Sequence, residues 1–189
     1  MTQIPTESEW AILRELDKYF YCDNYQGTPV PALTAFITGL LTITPGGEID
    51  ASACGFRARP AMKNLTHLPV RFTWCRSMNL SAARHLTTLE GLPRTINWGL
   101  VIQSQDLTSL AHLPESCMVI ELLVSADMGL LRLLMIKDLE RVDLRDPSRK
   151  TEVPKIKEII NRYLTQGKAG LSACATELIK AGFKGNAKL

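Results

Sequence analysis

No run of eighteen apolar residues occurs in the chain, so no segment reads as a membrane-crossing helix. The opening MTQIPTESEW lacks the basic start and apolar core of a secretory leader. There is no CxxC pair, and the five cysteines are an odd number, which argues against a disulfide framework or a zinc ribbon. Together these absences predict reduced thiols in a cytoplasmic protein with no membrane partner. Histidines number three and aromatic residues make up only 6%. The 46% hydrophobic and 22% charged fractions are those of a globular chain, and 189 residues suit one ordinary domain.

Charge is graded along the chain. Residues 1–50 hold two basic and seven acidic side chains, a net of −5; residues 51–128 net +2; residues 129–189 hold thirteen basic and seven acidic, a net of +6. Such a gradient orients encounters and favours an acidic partner over the C-terminal end. A nucleic-acid footprint normally interleaves aromatics with clustered cations, and the last third offers only Tyr163 and Phe183.

The strongest pattern is internal repetition. NLTHLP at 64–69, LTTLEGLP at 86–93 and LTSLAHLP at 107–114 share one ending. Each places apolar residues three apart before a proline: Met62-Leu65-Leu68, Leu86-Leu89-Leu92 and Leu107-Leu110-Leu113. A fourth copy, Leu130-Leu133-Ile136, has Lys137 in place of the proline. The 21- to 24-residue spacing between leading residues falls in the window of leucine-rich repeats.

After each block comes an alternating strand pattern. Its inward residues are predicted as Phe72 and Trp74; Ile96, Trp98, Leu100 and Ile102; Met118, Ile120, Leu122 and Val124; then Val142 and Leu144. The fold class expected is therefore an α/β repeat, a short irregular leucine-rich-repeat solenoid with a parallel sheet. Residues 1–50 form the N-terminal capping segment, 51–148 the repeats and 149–189 a C-terminal helical cap. In the first, Thr6-x-x-Glu9 reads as a capping box opening a helix with Trp10, Leu13, Leu16 and Phe20 on one face. Residues 36–56 read as short strands around Pro45-Gly46-Gly47. In the last, Pro154 opens a helix carrying Ile156, Ile159, Ile160, Tyr163 and Leu164, and a second carries Leu171, Cys174, Leu178 and Ile179 to Gly182.

From about residue 49 to 189 the chain resembles the irregular leucine-rich-repeat-like proteins encoded by tailed bacteriophages and prophages. The likeness rests on the L-T-S-L-x-G-x-P form of 86–93 and 107–114, on Leu130-Leu131-Arg132-Leu133-Leu134-Met135-Ile136, on the helix at 153–164, and on CxxELIKAGF at 174–183 with the Ala187-Lys188-Leu189 end. The Gly-Gly and Asn-Asn turn residues frequent in that family are mostly absent, and residues 1–35 lie outside the likeness. The resemblance implies a phage-derived interaction solenoid with no shared catalytic site. Bacterial effector ubiquitin ligases also carry Leu-Pro repeats, but they need a separate catalytic domain for which this chain has no room.

No enzyme motif emerges. His67 and His112 precede Leu-Pro in blocks two turns apart, about 10 Å at sheet spacing, too far to share a metal. His85 has no ligand partner nearby in sequence. Cys54, Cys75 and Cys117 are not in equivalent positions and read as small buried thiols. Pro45-Gly46-Gly47 lacks the Lys-Ser/Thr of a phosphate loop. Neither cofactor nor metal is expected, and the chain reads as non-enzymatic.

Alternation assigns the exposed sheet face to the opposite parity: Arg71, Thr73 and Cys75, then Thr95, Asn97, Val101 and Gln103, then Val119, Glu121 and Leu123. This mixture of aliphatic, hydroxyl and amide groups suits a protein partner. Trp74 and Trp98 are predicted to stack in the core. The expected function is a protein-binding module that docks on a host protein complex, such as a defence system, and modulates or inhibits it. The alternatives are a nucleic-acid-associated protein using Arg141, Arg145, Arg149, Lys150, Lys155 and Lys157, or a virion accessory protein.

Overall fold

The tight leucine bends explain the architecture. Each closes an i→i+3 backbone hydrogen bond: Leu65 to Met62, Leu92 to Leu89, Leu113 to Leu110 and Ile136 to Leu133, at 3.1–3.3 Å. In such a turn residues three apart eclipse, so paired leucines point the same way. That way is inward: Leu89, Leu110 and Leu133 are all buried. Bends also bond to one another, as Thr87 N–H donates to Thr66 C=O and Gln105 N–H to Arg84 C=O, both at 2.9 Å.

The computed structural model describes residues 4–189. In chain order these comprise α1 (Glu7–Tyr19), β1 (Phe20–Asp23), β2 (Pro29–Val30), α2 (Ala32–Ile37), β3 (Thr42–Ile43), β4 (Ile49–Ala58), β5 (Phe72–Leu80), β6 (Thr95–Ile102), β7 (Ser116–Leu123), β8 (Arg141–Arg145), α3 (Glu152–Tyr163) and α4 (Leu171–Lys180). The fold is α/β, with one mostly parallel sheet. Its order is β2-β1-β4-β5-β6-β7-β8, with β3 on the lower end of β4. Strands β4 to β8 are parallel throughout, and β1, β2 and β3 join antiparallel.

The N-terminal segment departs from expectation in two ways. Residues 36–37 belong to α2, not to a strand, because Asp17 accepts the Ala32 N–H at 2.8 Å and pins this helix to α1. Phe20, expected on the helix face, instead opens β1 and extends the sheet. Its ring packs on Phe56 and Phe72, with centroids 6.1 and 5.5 Å away. The Thr6–Glu9 capping box and the turn at 45–47 form as predicted.

At the other edge α3 lies against β8. Asn161 Oδ1 accepts the Val142 N–H and its Nδ2 donates to the Val142 C=O, both at 3.0 Å. One side-chain amide thus takes the place of a further strand, satisfying backbone groups that would otherwise form a sticky edge. Beside it Asp143 accepts from Lys157 and pairs with Arg141 at 3.0 Å. The Lys157 hydrogen bond, reinforced by Lys157, Arg141 and Arg145 charges, holds the Asp143 carboxyl below its ordinary range. A depressed folded value adds stability above the unfolded pKa, near about 4, and that stability is lost as pH falls through the folded value. Asp143→Asn should therefore lower the urea midpoint at pH 6, with the gap from wild type narrowing towards pH 2; an unchanged gap would count against this coupling. In α4, Ile179 faces solvent, although helical spacing placed it in the core.

Candidate protein-binding face

Strand alternation is broken on β5, β6 and β7, and that break creates the face. The inward residues of β5 are Phe72, Cys75, Met78 and Leu80, with gaps of three, three and two. On β6 Ile96 is followed by Leu100, and on β7 Cys117 is followed by Ile120. The ladders shift register at these places, between Cys75 and Met78 and between Ile96 and Gly99. Extra residues of this kind form β-bulges, which re-aim the side chains beside them.

Trp74, Trp98 and Met118 are therefore not core. They stand on the outer face at 40%, 62% and 36% exposure, and Tyr25, in the turn between β1 and β2, stands at 65%. Cys75 moves the opposite way, from the expected outer face to complete burial. The missed signal was the odd spacing Phe72-Cys75-Met78, which a flat strand cannot bury on one side.

Trp98 and Met118 flank a cleft of about 410 Å³ floored by Gly99, Val101 and Val119 and bounded by Ser77, Met78 and Asn79. Trp74 Nε1 donates to Asn97 Oδ1 at 2.8 Å, fixing the first indole against β6. The Arg76 guanidinium lies 5.3 Å from the Tyr25 ring and 5.6 Å from that of Trp98, and donates to the Tyr25 C=O at 2.9 Å. Such stacking holds a flexible side chain in place without a carboxylate.

The nine expected contact residues divide into three groups. Val101 and Val119 line this cleft, and Asn97 precedes Trp98 in the chain and is bonded to Trp74. Glu121, Gln103 and Leu123 lie beyond it towards the strand ends: Gln103 donates to Glu121 at 2.9 Å, Arg145 donates to Glu121 at 3.1 Å, and Leu123 pairs in register with Arg145. Arg71, Thr73 and Thr95 lie towards the opposite end. Arg71 meets Glu90 at 3.4 Å, Thr73 Oγ1 donates to the Ile49 C=O at 3.3 Å, and Thr95 registers with Trp74.

Among the other polar groups, His85 Nδ1 lies 2.8 Å from Asp106 Oδ2, a pairing hidden from sequence because it crosses between turns. Ser104 nearby is buried and bonded to the Leu86 C=O at 2.7 Å, so its hydroxyl is not presented to a substrate. His67 and His112 are exposed on separate bends. All five thiols are buried; desolvation pushes Cys22 and Cys75 far above the ordinary thiol range and raises Cys54, Cys117 and Cys174 to about 11. Thiols so shifted are poor nucleophiles at neutral pH. Among the described residues no cluster of His, Cys, Asp and Glu is arranged to hold a metal, and no helix is long and apolar enough to cross a membrane.

Of the six C-terminal cations, Arg141, Arg145, Arg149 and Lys157 are engaged by Asp143, Glu121, Glu152 and Asp143 respectively. A phosphate would have to compete with those carboxylates. Comparison with family models, curated proteins and solved structures finds no match to this chain.

Proposed function

We propose that this chain is a protein-binding module that docks through the outer face of its sheet on a host protein or complex and modulates it, inhibition of a bacterial defence assembly being the concrete case. On this reading the stacked turns are a short irregular leucine-rich-repeat solenoid of phage derivation, working in the host cytoplasm. The observation that carries it is Trp98 and Met118 held in solvent around an apolar cleft, with the second indole, Trp74, exposed and bonded to Asn97 on the neighbouring strand. Exposed aromatic and Met side chains on a rigid sheet are what interface cores are enriched in, and they need little ordering on association.

The test is capture from bacterial lysate on wild-type chain, on Trp98→Ala, and on a Lys150→Glu/Lys155→Glu control. A partner retained by wild type and the control, with affinity for Trp98→Ala reduced at least tenfold (about 1.4 kcal/mol), supports the sheet face. Binding lost in the control but not in Trp98→Ala, and falling steeply with salt, moves the site to the basic end and favours nucleic acid.

A further inference from the structure

We infer that the Trp98 cleft takes a short acidic segment of a protein partner, anchored by one aliphatic or aromatic side chain; this rests on the sheet-face reading and adds the chemistry of the ligand. The cleft floor of Gly99, Val101 and Val119, walled by Trp98 and Met118, offers almost no polar group, so an apolar side chain is what gains by entering it. Charge beside the cleft selects what flanks that anchor.

Among the described residues two guanidiniums towards the β1–β5 side pair with no carboxylate: Arg76 against the Trp98 wall of the cleft and, farther off past the end of β4, Arg59. Arg59 lies 4.0 Å over the Tyr21 ring and donates through Nε to the Phe20 C=O at 2.8 Å. Arg76 is held between Tyr25 and Trp98. Each retains unused N–H donors in a planar fork that fits a carboxylate. By contrast, the carboxylates in the strand rows at and above Gly99 are already engaged: Asp23 by Arg57 at 3.1 Å, Glu121 by Arg145, and Asp143 by Lys157 and Arg141. Asp50 and Glu140 lie below, at the starts of β4 and β8. An incoming acidic residue on the β1–β5 side meets free donors, and an incoming cation at or above the cleft meets only spoken-for carboxylates.

The same pattern decides against two other occupants. A second copy laid face to face brings its own Arg59 and Arg76 against carboxylates that are already paired. A nucleic-acid strand finds aromatic and arginine groups on one side, but across the cleft Arg145, Arg141 and Lys157 are already paired with Glu121 and Asp143, so its phosphates meet no free donor there.

The experiment selects dodecapeptides from a random displayed library on the full chain and measures the enriched peptides by fluorescence anisotropy against wild type, Gly99→Leu and Arg76→Gln. A side chain at Gly99 has room, since an added Cβ meets nothing closer than the Val119 C=O at 3.6 Å, so Gly99→Leu fills the cleft without disturbing the strand. Val101→Gln serves as a second cleft variant, and melting curves confirm that each variant is folded. The expected result is peptides with Asp or Glu flanking a Leu, Ile, Met or Phe, weakened at least tenfold by either cleft variant and by Arg76→Gln, and weakened further as salt rises. Peptides that need the cleft but are neutral or basic, and ignore Arg76→Gln, overturn this inference and leave the docking face standing. No enriched peptide, peptides indifferent to both cleft variants, or tighter binding of a dT20 oligonucleotide lost in Arg76→Gln overturns both.

Discussion

Phe56→Ala should be the most damaging single truncation in the molecule, costing about 3–5 kcal/mol in urea unfolding. Phe56 is buried on β4, where the first parallel strand meets the antiparallel β1. Its ring contacts Phe20 at 6.1 Å edge-on and Phe72 at 4.9 Å in a tilted pair, and Phe20 meets Phe72 at 5.5 Å. Three strands that come from different stretches of chain are thereby joined in one packing unit. Removing the middle ring leaves a cavity that two stiff neighbours on hydrogen-bonded strands are poorly placed to fill. Since domains of this size are stable by about 5–15 kcal/mol, the alanine variant stands to lose much of its folded population. Phe56→Leu keeps most of the volume and should cost markedly less, giving a measurable variant if alanine does not fold. A loss under about 1 kcal/mol for alanine would show that the cluster is not the joint described.

The second large effect is expected at Asn186. This residue is fully buried three positions from the C-terminus, and its Nδ2 donates to the carbonyls of Ser125 and Met128 at 3.1 and 3.0 Å. Its own carbonyl accepts the Leu130 N–H at 3.1 Å, and the Lys188 carbonyl accepts that of Leu131 at the same distance. Gly185 makes this approach possible, since a Cβ there would stand 2.3 Å from the Ala126 C=O. Alanine at 186 strands two carbonyls away from water, and each such loss costs about 1–3 kcal/mol. A total of about 2–4 kcal/mol is expected, together with faster hydrogen exchange at Leu130 and Leu131. Exchange unchanged at those two amides would mean that the tail does not hold the fourth leucine bend.

The parts of the fold read from sequence are those governed by local periodicity. Leucines three apart before a proline report a tight bend, and the bends at 62–68, 86–92, 107–113 and 130–136 lie between parallel strands as that pattern requires. The capping box at Thr6 and the amphipathic faces of α1 and α3 are local as well. What escaped depends on long-range partners. β1 and β2 have four and two residues and no pattern of their own; β1 is a strand because β4 offers an edge, and β2 because β1 then offers the next. Asn186 and Asn161 look like ordinary polar residues until the carbonyls they meet, 58 and 19 positions away, are known.

For the face, parity served until the bulges. It placed Asn97, Val101, Val119 and Glu121 outside and half-exposed, and it failed at Trp74, Trp98, Met118 and Cys75, where one or two extra residues reset the count. Hydrophobicity made that error natural, since indoles in a strand are usually buried. The exposed aromatics are the residues that break the local rule, and sites of binding are where such breaks are expected.

The Asn161 clasp on Val142 also has a bearing on how such a chain can vary. Because the last strand is stopped by a side chain from α3, no strand can be appended outside it without losing that clasp. With this edge closed, the parallel part of the sheet can change in length only by inserting or deleting a whole bend and strand between β4 and β8, with the helical end moving as one piece. Each such event alters the breadth of the outer face by one strand spacing, about 4.8 Å. The breadth of the outer face is thus quantised, and variants of different length should differ in it by whole steps while keeping the same terminal clasp.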